Sequence, residues 1–181
     1  MNADLFKSLL KPYWESQSIN DLDDAADKIA TAYHLANIGD TAPFFGAKLI
    51  NGDKDTLKNF LSLGLKVNFN LKIKSGDVTP GFTLMALGFC LYWMSSTFSS
   101  VPPMPPMVAP TAGVSIIFPG LPIGLDKALK EAFDNTDAEQ TLTALTTALK
   151  LHLLTVTGLY SGTTFIGPVP TPLVLPWTSL F

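Results

Sequence analysis

The sequence predicts a mainly α fold, with amphipathic helices, one short strand or hairpin near residues 66–74 and two proline-rich extended arms; α+β is the alternative class. Three observations carry this. Apolar residues recur at helical steps along 22–36 and 142–156. A period-2 run occupies 66–74. Two charge-free zones, 78–125 and 153–181, each pass from a helix-compatible stretch to a proline-rich one. The predicted organisation is a helical body over 1–98, an arm over 99–125, a helical segment over 126–160 and a second arm over 161–181.

A first helix is predicted over Ala3–Lys11, stopping near Pro12, whose ring and missing N–H disfavour a helix interior. Asn20 is the predicted N-cap of the next, with Asp21, Asp23 and Asp24 where the helix dipole favours anions. Leu22, Ala26, Ile29, Tyr33 and Ala36 follow at steps of four and three, and Gly39 ends the stripe. Asp53 or Asp55 caps a helix over 55–64. "KVNFNLKIK" (66–74) then alternates Val67, Phe69, Leu71 and Ile73 with polar residues, a strand pattern closed by the turn residues "SGD". Thr136 and Glu139 have capping-box spacing. Behind them Leu142, Leu145, Leu149, His152 and Val156 form one stripe ending at Gly158.

A chain of 181 residues suits one domain, or one domain with arms. Charged residues make up 15%, against about 25% in soluble domains, so an isolated monomer would have a poorly charged surface. All twelve basic residues are lysine. The missing arginine and the net charge of −3 argue against direct nucleic-acid recognition, which favours Arg and a basic patch. The lone Cys90 excludes an internal disulfide framework and fits folding in a reducing compartment. No signal peptide is read at "MNADLFKSLLKPYWE".

Catalytic, metal and cofactor sites are not expected. Asp21, Asp23, Asp24 and Asp27 are explained by the helix N-terminus, and "NGDKD" (51–55) lacks the glycine and bidentate glutamate of a calcium loop. His34 and His152 are the only histidines, and His152 sits on an apolar stripe. Cys90, within "LGFCLYW", should be desolvated and inert. There is no serine elbow or glycine-rich phosphate loop.

Membrane insertion is the chief rival. The dense apolar run "FTLMALGFCLYWM" has 13 residues, shorter than the roughly 20 of a span. The second candidate, 141–167, carries Lys150 and His152 centrally, and a central lysine costs about 2.5–3.5 kcal/mol. A third reading is an apolar-ligand binder using the region Cys90–Trp93.

The arms favour assembly. Prolines at 102, 103, 105, 106 and 110 preset an extended path, and their companions are apolar instead of the Ser, Gln, Glu and Lys of a disordered linker. A preordered arm loses less entropy on docking. The predicted contacts are Val101, Met104, Met107, Val108, Ile116 and Phe118 in the first arm. In the second they are Val174, Leu175, Trp177 and Phe181, with Trp177 as anchor, and the helix face adds Leu145 and Leu149.

Three stretches, "ALKEAFDNTDAEQ", "TALKLHLLTVTGLYSGTT" and "PVPTPLVLPW", make up much of the second half of the chain. With its size and arms, the chain resembles the small virion structural proteins of large contractile-tailed bacteriophages. That resemblance implies a multi-copy tail, neck, baseplate or head-associated subunit, with copies of itself and other virion proteins as partners, assembled in the host cytoplasm. It carries no residue roles, because no motif accompanies it.

Overall fold

A computed structural model describes residues 1–16, 21–40, 47–74, 78–99 and 113–180. Asn20, the "SGD" turn, Val101, Met104, Met107, Val108 and Phe181 lie outside the described residues. The elements are α1 (Ala3–Ser16), α2 (Leu22–Asn37), β1 (Leu49–Asn51), α3 (Lys54–Lys74), α4 (Thr79–Met94), β2 (Thr97–Phe98), β3 (Gly113–Pro119), α5 (Leu125–Phe133), α6 (Ala138–Leu153), β4 (Val156–Ile166) and β5 (Val169–Trp177). The fold is therefore α+β and not mainly α: among the described residues six helices accompany a two-stranded sheet, β1–β2, and a three-stranded antiparallel sheet in the order β3–β4–β5.

The most extensive helix packing follows the cycle α1–α2–α3–α4–α5–α6 and back to α1. The inside of this ring holds an aromatic cluster. Tyr33 meets Phe89, Tyr92 and Trp93 edge-on at centroid separations of 4.9, 5.1 and 6.3 Å. The Trp93 indole N–H donates to the Tyr33 hydroxyl at 3.0 Å, so both buried polar tips are paired. α4 packs against α3, α5 and β3, and its aromatic face meets α2. "FTLMALGFCLYWM" is accordingly apolar on nearly every side, with most of its apolar residues buried and Leu87 and Met94 left exposed. Among the described residues no helix is long and apolar enough to cross a membrane.

The strand predicted at 66–74 is instead the end of α3. The buried stripe of α3 runs through Leu57, Leu61, Gly64 and Asn68, at steps of four, three and four. Two of those four carry no apolar side chain, so the helical period was hidden while the half-exposed Val67, Phe69 and Leu71 stood out. Gly64 and Gly81 let α3 and α4 touch: a Cβ on Gly64 would lie 2.5 Å from the Gly81 carbonyl oxygen. Asn68 fills the space over Gly81.

Other boundaries shift by identifiable contacts. α1 continues past Pro12 because Trp14 packs on Phe133 at 5.6 Å and Lys28 Nζ sits 4.1 Å over the Tyr13 ring. Asp21 caps α2, accepting from Asp24 N at 2.7 Å. Asp53 caps α3, accepting from Thr56 N at 2.9 Å. Asp137, and not Thr136, caps α6 and accepts from Gln140 N at 2.8 Å. α6 ends at Leu153, so Val156 is buried as the first residue of β4 and not as a helical position.

The described part of the first predicted arm, the end of the predicted helical segment (156–160) and the second arm form one sheet. β3 runs against β4 from Gly113↔Ser161 to Pro119↔Val156, and β4 against β5 from Gly158↔Trp177 to Ile166↔Val169. Extended backbone needs partners for its N–H and C=O groups, and these strands supply them to one another.

Candidate functional site

Among the described residues β3 begins at Gly113, opposite Ser161, and 162–173 pair with each other as the outer part of the β4–β5 hairpin. No charged side chain follows Lys150. Near the tip Phe165 is 55% and Ile166 68% exposed, with Val169 similarly open. An isolated two-stranded hairpin is only marginally stable in water, and among the described residues Phe165, Ile166 and Val169 of this one are left more than half exposed.

The outer edge of that hairpin is chemically blocked. Pro170, Pro172 and Pro176 fall on alternate positions of β5. Because β5 pairs with β4 along its full length, prolines survive only where the missing N–H would point away from β4. An added strand would find almost no donors there, so the β5 edge is protected from edge-to-edge pairing.

At the other end of β4 lies an apolar notch of about 250 Å³, walled by Leu121, Leu125, Ala128, Ala148 and Leu151, with His152 and Thr155. Its surroundings are exposed: Ile123 is 83% open, and Leu121, Leu151 and Leu154 are close to half or more. His152 itself is buried, and its Nε2 lies 3.4 Å from Cys90 Sγ. Burial lowers the His152 pKa to about 4, with the Pro119 carbonyl pulling weakly the other way. Burial raises the Cys90 thiol to about 11. Both groups are thus neutral near pH 7, which is the reverse of the thiolate–imidazolium pair a nucleophilic cysteine requires.

A second apolar cavity, of about 210 Å³, opens between α1, α2, α3 and α5, lined by Leu10, Trp14, Leu22, Ile29, Leu65 and Phe133 among others. The acidic residues of α2 have partners within the fold. Asp23 accepts from Lys66 Nζ at 2.7 and 2.8 Å and from the Ser62 hydroxyl, Asp24 pairs with Lys28, and Asp27 with Lys58 at 3.0 Å. His34 Nδ1 lies 3.0 Å from the Tyr92 hydroxyl, and burial lowers its pKa.

The predicted contact residues are distributed unevenly. Phe118 and Val174 are exposed, while Ile116 and Leu175 are partly buried against the chain's own core. Leu145, Leu149 and Trp177 are fully inside that core. Trp177 faces Phe98 at 6.3 Å, so its ring anchors β5 to its own domain. The exposed set at Leu121, Ile123, Leu151, Leu154, Phe165, Ile166 and Val169 was not singled out from sequence. The available signal was that Leu151 and Leu154 fall off the Leu142–Leu145–Leu149 stripe.

Comparison with protein-family models, curated proteins and solved structures finds no match to this chain.

Proposed function

We propose that the protein is a non-enzymatic structural subunit that assembles with copies of itself and with other proteins, of the kind that builds a phage virion. The observation that carries this reading is the charge-free hairpin 162–173, with Phe165, Ile166 and Val169 open to solvent. Exposed apolar surface of this kind marks an interaction site. The neutral Cys90–His152 pair supports a non-catalytic role. The virion part of the reading rests on the sequence resemblance alone.

Two measurements test it. Sedimentation of the purified chain should reveal discrete oligomers, and replacing Phe165, Ile166 and Val169 by threonine should abolish them without loss of helix signal. Mass spectrometry of particles purified from cells producing this chain should find it in fixed stoichiometry with the other particle proteins. A chain that stays out of every particle sinks the virion reading. The apolar-ligand reading finds its support in the cavity between α1, α2, α3 and α5, and not at Cys90–Trp93, which is close-packed. Saturable uptake of a fluorescent fatty acid, lost in Leu65→Trp, would favour it.

A further inference from the structure

We infer that the hairpin tip of one copy seats in the notch at the start of β4 of the next copy, so that the chain associates head to tail. This rests on the assembly reading above and adds the partner, a second copy of this chain, and the direction of the contact.

The geometry comes from the strand that joins the two surfaces. β4 has 11 residues, which span about 35 Å at strand rise. Phe165 and Ile166 stand at one end, where Ile166 pairs with Val169. The notch lies at the other end, where Pro119 pairs with Val156. Tip and notch therefore cannot meet within one chain. A patch that binds a different patch on an identical neighbour generates a ring or a filament.

Size and charge both favour a second copy. An apolar cavity of about 150 Å³ is enough to hold benzene. The notch, at about 250 Å³, has room for the ring of Phe165. Leu121, Ile123, Leu125, Ala128, Ala148 and Leu151 line it with Thr155 and the neutral His152 and no charged side chain, and the hairpin has no charged side chain either. A partner with ordinary surface charge would bury those charges unpaired against either surface. A second copy brings one uncharged surface of each kind. The prolines of β5 exclude strand addition on that edge, so on that side the side chains make the contact.

Two exposed positions provide the test: Phe165→Lys at the tip and Ile123→Lys beside the notch. Both variants should keep the wild-type circular dichroism spectrum. By sedimentation velocity, wild-type chain should form species larger than dimers, and each variant alone should be monomeric. An equimolar mixture of the two should form dimers and stop there, since each variant keeps one intact surface. A mixture that stays monomeric shows that tip and notch do not bind each other and overturns the head-to-tail inference; self-association of Ile123→Lys alone means tip to tip, and of Phe165→Lys alone notch to notch, and either overturns it while leaving assembly standing. Unchanged oligomers in Ile123→Lys overturn it too, and assign the notch to another occupant such as a small apolar molecule. A wild-type chain that is monomeric at every concentration removes both the inference and the self-assembly it rests on.

Discussion

Gly158 and Trp177 are paired across the β4–β5 ladder, and the indole occupies the space that a side chain at 158 would take. A Cβ on Gly158 would lie 2.2 Å from Trp177 Cζ2 and 1.9 Å from the Ser115 carbonyl oxygen. The second neighbour is backbone of β3, which cannot swing aside. Gly158→Ala should therefore destabilise by about 1–3 kcal/mol, as overpacked cores do, read as a lower urea midpoint. Trp177→Ala should cost about 3–5 kcal/mol. The pair should be non-additive, because removing the indole relieves half of the alanine's clash. A Gly158→Ala protein of unchanged midpoint would mean that the sheet is not packed this way.

Stability should fall as pH drops from about 6.5 to 4. His152 is held neutral with a folded-state pKa of about 4, while an unfolded histidine binds its proton near 6.5. Between those values the unfolded chain carries more protons, so acid favours unfolding, by about 3 kcal/mol across the window. The lowered carboxyl groups of Asp23 and Asp53 act in the same direction only at lower pH. Chemical denaturation at pH 7, 5.5 and 4.5 measures the slope, and His152→Leu should remove most of it. A wild-type slope that survives this substitution would place the titration elsewhere.

Cys90 should resist alkylation until the chain unfolds. A thiol moved from its ordinary 9.0 to about 11 has roughly a hundredfold less thiolate at pH 8. Iodoacetamide should label the folded chain at least about a hundred times more slowly than the urea-unfolded chain, counted by mass. Rapid labelling of the folded chain would contradict both the burial of the thiol and its neutrality.

The prolines of β5 should be separable from the fold by position. Replacing Pro170, Pro172 and Pro176 by threonine restores outward donors without touching the β4 ladder, so the monomer should fold and then form β-rich aggregates that bind thioflavin. Thr171→Pro sits on the opposite parity and removes a donor facing β4. It should loosen the hairpin without creating a new edge. Equal aggregation of the wild type and the triple variant would mean that these prolines do not guard the edge.

Where one face of an element was consistently apolar, the sequence was enough: α2 and the first three turns of α6 follow their stripes to the core. α3 failed because Gly64 and Asn68 do the packing, and close approach of two helices leaves no apolar signature in sequence. The sheet failed for a different reason. β3 and β4 are separated by α5 and α6, so their pairing is a long-range property, and the prolines of β5 read as an unpaired arm when only one side of that strand is unpaired. The notch was invisible because Leu121 and Ile123 meet Leu151 only where the end of β3 pairs with the start of β4.

With no charge after Lys150, any contact the hairpin makes responds to temperature and salt in a particular way. Dilute sodium chloride has no ion pair to screen. Sulfate and other excluded salts strengthen the contact, and its driving force is largely entropic near room temperature and fades on cooling. Calorimetry should register association with a negative heat capacity change. A sample kept on ice would then be the one that comes apart, and a sample warmed to the bench the one that holds together.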